Sequence, residues 1–246
     1  MRRADLSGLF LSRLRQFFDQ QDVHLTGIGI PYIDGPYRYS NSVIGISPQA
    51  KDAGFRYFRY DKQHLVPFGE FVPLGFRWFV DMMNIPLGDF TRGPVVQAPF
   101  AVKDQWVLPN ICYEDLFGEE IAGQLAATHA AGKPTATMLL NMSNIAWFGN
   151  TIALPQHLQI SQMRSLETGR PMLRATNTGA TAVIDPHGVV SIQLQPYSRA
   201  TLTVSVQGYS GTTPYILLGN RLLLVLALSI LAASWWYSRR KARKQP

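Results

Sequence analysis

Apolar positions change their period several times along the chain, and each change predicts an element. Leu6, Leu9, Phe10, Leu14, Phe17 and Phe18 recur at helical spacing with Arg13, Arg15 and Asp19 between them, which predicts an amphipathic helix over residues 5–20. Apolar runs at residues 24–30, 41–47 and 106–112 read as strands. Between the first two, PYIDGPYRY carries Pro and Gly turn signals. Residues 115–131 read as helix, 137–141 as strand, and 154–168 as an amphipathic helix ending at Gly169. Strands at 171–176, 181–184, 189–194 and 200–206 follow, with Asp185-Pro186-His187-Gly188 as a hairpin turn. Helices alternating with strands and closing on a meander predict an α/β layered domain over residues 1–212.

The pattern then changes character. Leu222 to Tyr237 reads LLLVLALSILAASWWY, 16 residues without a charge. As helix this run is about 24 Å long, and extending it back to Ile216 gives about 33 Å, enough for a hydrocarbon core of about 30 Å. Trp235, Trp236 and Tyr237 form an aromatic belt, and Arg239, Arg240, Lys241, Arg243 and Lys244 follow it. The expectation is a transmembrane helix over 213–238 and a basic cytoplasmic tail over 239–246.

That tail changes how the net charge reads. The 246 residues carry a formal charge of +7; subtracting the five tail cations leaves +2, so no basic face for nucleic acid is expected. Hydrophobic residues at 46% and charged residues at 16% exclude a disordered chain. The N-terminal MRRADLSGLFLSRLRQFFDQQ is no export signal, because its longest uncharged run is only Leu6 to Ser12. The expectation is therefore a C-terminal portion of a longer membrane protein whose upstream spans set the topology.

One Cys excludes a disulfide framework within the chain, and five scattered His offer no metal-ligand set. Cys112, in ICYED, ends a predicted strand. A nucleophile at a strand-to-helix turn sits near backbone N–H groups that stabilise a thiolate and receive an oxyanion; a buried structural thiol is the plainer alternative. Lys62, in YDKQHLVPFGEFVPL, is either a solvated surface residue or an ammonium aimed at a developing oxyanion. Glu70 and Glu114 are either surface carboxylates or partners that hold that ammonium charged.

YDKQHLVPFGEFVP, ICYE and NMSNIAWFG, with HLQISQMRSLETGRPMLRATNTGATAVIDPHG and the closing TTPY plus single span, resemble the carbon–nitrogen hydrolase (nitrilase) superfamily. Within it, LVPFGEFVPL together with CYE resembles the apolipoprotein N-acyltransferase branch. The resemblance covers nearly the whole chain. It implies a nitrilase-like α-β-β-α sandwich, N-terminally truncated, followed by one transmembrane helix. It also implies a Glu–Lys–Cys triad: Cys112 as nucleophile, Lys62 as the cation, Glu70 and Glu114 supporting the site, and Tyr113 beside the nucleophile. The family's base Glu lies in a Pro-Glu segment ahead of the first helix, and residues 1–23 contain no Glu. Ile145 stands where the family commonly has Asp, which implies one polar group fewer near the site.

The implied reaction moves an acyl chain from a phospholipid through a Cys112 thioester to the α-amino group of a diacylglyceryl-cysteine on an apolipoprotein. It needs no cofactor or metal, and in it Phe68, Phe71, Trp147 and Phe148 either line an acyl-chain entry or belong to the core. Its partners are the phospholipid donor, the apolipoprotein acceptor and the bilayer. The implied location is the bacterial inner membrane, with the catalytic domain periplasmic. Two other readings stand beside it: a membrane-tethered nitrilase-like amidase, and an inactive fragment that binds lipid or protein.

Overall fold

The computed structural model describes residues 28–33, 39–45, 58–82 and 89–242, together with Arg13 and Gln16. The predicted helix over 5–20 lies outside these residues apart from Arg13 and Gln16, which are helical. Two sheets form the frame. The first is antiparallel throughout and runs β1 (Ile28–Ile33), β2 (Tyr39–Gly45), β3 (Phe58–Asp61). The second has six strands in chain order: β4 (Phe100–Val102), β5 (Gln105–Ile111), β6 (Met138–Ser143), β7 (Met172–Thr176), β8 (Ala182–Ile184) and β9 (Val190–Gln193).

Strands β5, β6 and β7 are parallel, and antiparallel pairs flank them on both sides. Parallel neighbours require crossover connections, and helices supply them. A short helix α1 (Arg77–Met82) follows the first sheet; α2 (Gly118–Ala130) joins β5 to β6, and α3 (Ala153–Thr168) joins β6 to β7. Strand β5 is buried from Val107 to Ile111, as expected of a strand covered on both faces. Pro109 is tolerated because β4 pairs only as far as Val107, so Pro109 lies beyond that ladder.

One core joins the layers. Val43 of β2 and Tyr60 of β3 pack with Leu108, Ile111 and Leu139 of the second sheet and with Ile121 and Leu125 of α2. The nitrilase-like mixed-sheet architecture is thus present. Helix α3 ends where the sequence predicts: Gly169 adopts φ 62°, and its N–H donates to Ser165 O at 2.8 Å. The hairpin turn is held by Asp185 Oδ1, which accepts from the N–H groups of His187 and Val189, both at 2.9 Å.

Several expectations need correction. The predicted strand over 200–206 is not a strand, because no neighbouring strand offers it a ladder. The predicted helix over 115–131 is broken: Cys112–Leu116 forms a 3-10 turn, and Phe117 (φ −104°, ψ 76°) separates it from α2. Strands β3 and β4 and helix α1 are too short to leave a periodic signal. Ile216 belongs to the domain, not to the apolar run: helix α4 (Pro214–Leu218), capped by Thr213, buries Ile216 in the core. Gly219 (φ 54°) then turns the chain into α5 (Arg221–Ala242). The stretch Arg221–Lys241 is the one helix among the described residues long and apolar enough to cross a membrane, and none of it is buried. Arg239 and Arg240 stack on Trp235 and Trp236, with guanidinium-to-ring distances of 4.1 and 3.7 Å.

Ile145 is fully buried, and a Cβ on Gly179 would overlap its Cδ1. Gly179→Ala is therefore expected to destabilise the fold by about 1–3 kcal/mol through overpacking. Ile145→Val removes the clashing methyl, so the double variant should be less destabilised than the two single changes added, by about 0.5 kcal/mol or more. Chemical denaturation of the four proteins measures this coupling; strict additivity would show that the two residues do not compete for one space.

Candidate active site

Strand β3 leads directly into the site. Lys62 follows Asp61, and its N–H donates to Asn41 O at 2.8 Å, which carries the sheet ladder one step further. The side chain turns inward and is 1% exposed. A buried ammonium must be paired, and Glu70 Oε2 lies 2.8 Å from Lys62 Nζ. Glu70 reaches that position because the chain doubles back at Pro67-Phe68-Gly69. The N–H groups of Gly69 and Glu70 both donate to Val66 O, and Phe68 takes a left-handed φ of 58°. The Glu70 carboxylate also accepts from Val66 N and Asn41 Nδ2, each at 2.8 Å.

Cys112 opens the 3-10 turn directly after β5, with φ 51°, a conformation that costs a residue with a Cβ about 1–3 kcal/mol. Its thiol is half-buried, and that burial pushes its pKa up. The Lys62 charge, the Ser143 hydroxyl and the Tyr113 backbone N–H each favour the thiolate. Glu70 opposes it.

Glu114 has a different task. Its Oε1 accepts from the N–H groups of Gln63 (2.7 Å) and His64 (3.2 Å), and its Oε2 accepts from Ile111 N–H (2.7 Å) and Tyr60 O–H (3.1 Å). Four donors occupy the four good acceptor positions of a carboxylate, so Glu114 has none free for a substrate proton. Burial pushes its pKa up while the three backbone donors and Lys62 hold the charge. The effect is a clamp between the Lys62 loop and the Cys112 turn. Tyr113 packs edge-on to Phe117 and His64, with ring centroids 5.2 and 5.6 Å away.

The structure thus brings Lys62, Glu70, Cys112, Tyr113 and Glu114 into one site. It also contains residues the sequence did not single out. Asn110 and Asn141 are paired in register on β5 and β6, and Asn141 Nδ2 donates to Asn110 Oδ1 at 2.5 Å and to Cys112 O at 3.4 Å. Ser143 Oγ donates to Asn141 Oδ1 at 2.5 Å. Their only sequence signal was polarity inside otherwise apolar strands. Ile145 adds no polar group here; its backbone N–H is held by Asn177 Oδ1 at 3.2 Å.

Phe68, Trp147 and Phe148 are exposed, Trp147 to 84%, so they are not core; Phe71 is half-buried, with the Arg92 guanidinium 4.6 Å from its ring. Among the described residues no group of three or more His, Cys, Asp or Glu could hold a metal ion. The arrangement offers a thiol nucleophile, a buried cation and backbone donors, the parts needed for acyl transfer through a covalent thioester.

With its pKa raised, Cys112 should be alkylated by iodoacetamide at a rate that keeps climbing above about pH 8.5, the ordinary thiol midpoint. Lys62→Met removes a cation that favours the thiolate and should move that midpoint further up. Mass spectrometry of the Cys112 peptide across pH reads both profiles. A variant midpoint equal to or below that of the parent would show that Lys62 does not act on the thiol.

Similarity to known proteins agrees with this geometry. The family model for carbon–nitrogen hydrolases matches residues 3–215. An apolipoprotein N-acyltransferase from Ralstonia nicotianae is 55% identical over 212 residues, which cover 86% of this chain and 39% of that protein. Another from Bordetella bronchiseptica is 47% identical over 229 residues, 89% of this chain and 41% of that protein. The chain therefore spans about two fifths of the length of these curated relatives. Among solved structures, a carbon–nitrogen hydrolase from Helicobacter pylori G27 superposes with a TM-score of 0.53 at 15% identity, covering 76% of this chain and 64% of that one. An amidase from Nesterenkonia sp. AN1, with the acetamide moiety of fluoroacetamide added covalently at its active site cysteine, gives a TM-score of 0.51 at 17% identity, covering 74% and 61%. The family match, the mixed sheet and the Lys62–Cys112 constellation together place this chain in the carbon–nitrogen hydrolase family.

Proposed function

We propose that this chain carries the thiol chemistry of an apolipoprotein N-acyltransferase. The observation that carries the reading is Cys112 held in a left-handed turn beside the buried Lys62–Glu70 pair. The similarity to N-acyltransferases over 86% of the chain supports the same assignment. In the first step the Cys112 thiolate attacks the ester carbonyl of a phospholipid. The C–S bond forms, the ester C–O bond breaks, and a lysophospholipid leaves with a proton on its oxygen. In the second step the α-amino group of a diacylglyceryl-cysteine on an apolipoprotein attacks the thioester. The C–N bond forms, the C–S bond breaks, the nitrogen loses a proton, and the thiolate returns.

In this reading Lys62 Nζ and backbone N–H groups stabilise the oxyanion of both steps, a contribution of about 3–4 kcal/mol for one well-placed donor. Glu70 keeps Lys62 charged and in place. Glu114 and Tyr113 support the turn. The general base belongs to another segment of the protein, because Glu114 is saturated with donors and Glu70 is committed to Lys62. Exposed Phe68, Trp147 and Phe148 offer an apolar approach for an acyl chain. Helix α5 anchors the domain in the bacterial inner membrane, with its basic end cytoplasmic and the domain on the periplasmic side.

The test is a trapped intermediate. Full-length protein incubated with phospholipid is expected to carry an acyl group on Cys112, and Cys112→Ala to carry none and to leave lipoproteins unacylated. Wild-type acylation of lipoproteins by Cys112→Ala would remove the thioester mechanism; turnover of small amides without phospholipid would favour an amidase instead.

Topology has its own test. A reporter fused after Pro246 should behave as cytoplasmic, and periplasmic activity there would reverse the proposed orientation.

A further inference from the structure

Three residues after Cys112, in the same 3-10 turn, lies Asp115, fully buried. A carboxylate at that depth needs a reason. Its Oδ2 accepts a short hydrogen bond from Ser161 Oγ and lies 3.5 Å from Arg174 Nη1. Arg174 is itself fully buried. Its Nη1 also donates to Ser161 Oγ, to His157 O at 3.0 Å and to His157 Nδ1 at 2.9 Å, and its Nε donates to Ala180 O at 3.2 Å. A second arginine holds the other end of the turn: Arg164 Nη1 donates to the carbonyls of Asp115 and Leu116, both at 3.1 Å. Glu167 fixes Arg164 at 2.8 Å.

Arg174 also stands in register with Asn141 on β6, which stands in register with Asn110 on β5. A buried polar row therefore crosses three parallel strands and meets the turn from below, through Asn141 to Cys112 O and through Arg174 to Asp115. A cysteine at φ 51° relaxes toward ordinary φ values unless its surroundings over-determine it. At its Cys112 end the turn is also tied to β5 by Glu114, whose Oε2 accepts from Ile111 N–H at 2.7 Å.

We propose that Arg174 is a positioning residue for Cys112: gripping Asp115 together with Ser161, it locks the 3-10 turn that holds the nucleophile in its left-handed conformation. The inference rests on Cys112 being the nucleophile of the proposed reaction. The planar guanidinium is needed because one group must serve Asp115, Ser161, His157 and Ala180 at once, which a lysine ammonium cannot do. The titratable and charged groups around the pair are Arg164, Glu167 and His157 on α3, with Lys62 and Glu70 acting on Cys112 as well. His157 is held neutral, its pKa pushed down to about 4 by burial and by Arg174, so it adds no charge near pH 7.

The test uses the full-length protein in phospholipid vesicles, with Arg174→Met, Arg174→Lys and Asp115→Asn. Two readouts are taken: the pH midpoint of iodoacetamide alkylation at Cys112, and the rate of acyl-thioester formation per folded molecule. Displacing the turn by about 1 Å should slow thioester formation about a hundredfold in Arg174→Met while leaving the phospholipid KM nearly unchanged. The Arg174→Met midpoint should rise, because a cation near the thiol is lost. The Asp115→Asn midpoint should fall, because an anion is lost, yet its thioester rate should still drop tenfold or more, about the scale of a misaligned nucleophile. Arg174→Lys should restore the midpoint and only part of the rate.

Opposite midpoint shifts with lowered rates in both variants support the proposal. Wild-type rates per folded molecule, or midpoints that move together, overturn it by reducing the pair to scaffold. If Arg174→Met fails to fold, Asp115→Asn decides alone by the same two readouts. Alkylation needs no acyl donor, so absence of acyl-Cys112 in the wild type would count against the proposed function while the midpoints still judge the positioning role.

Discussion

Lys62 carries an ammonium group into a site where it is 1% exposed, and much of the surrounding structure follows from that requirement. The desolvation of such a charge amounts to several kcal/mol unless a partner and further hydrogen bonds offset it. Glu70 is the partner, but it can serve only because the Val66–Glu70 turn folds it back and Asn41 and Val66 N–H fill its other lone pairs. The turn in turn needs Phe68 at positive φ, which leaves that ring exposed. A single buried charge thus accounts for a strained turn, a committed carboxylate and an outward-facing aromatic residue.

The second carboxylate works by saturation. Glu114 receives three backbone N–H groups and the Tyr60 hydroxyl, drawn from β3, the Lys62 loop and the end of β5. It therefore ties the two halves of the site together across the two sheets. Two glutamates with the same chemistry in the unfolded chain become a counter-ion and a clamp. The number of donors each one meets makes the difference.

The apolar surface is placed with equal economy. Trp147 and Phe148 lie in a 3-10 turn a few residues beyond Ser143, the last residue of β6, while Ile145 between them and the sheet is buried against Gly179. Asn177 ties the base of this loop: its Oδ1 accepts from Ile145 N–H, and its Nδ2 donates to Asn144 Oδ1 at 2.7 Å.

Local periodicity and composition made a large part of this protein legible. The central strands, the helices ending at Gly169 and beyond Gly219, the apolar span with its aromatic and basic end, and the sole thiol at a strand terminus are all properties of contiguous residues. The motifs around Lys62 and Cys112 likewise marked the candidate site. Which groups meet was decided only by the tertiary structure. Asn41 and Glu70 are 29 residues apart, and Arg174 of β7 meets Asp115 of the Cys112 turn. A hydrogen bond between distant segments leaves no period in the sequence, and an Asp or Asn inside an apolar strand looks the same whether it faces water or a buried arginine. The strand expected at 200–206 failed for the same reason: its residues have the right propensity, but a strand exists only where a second strand offers its backbone donors and acceptors.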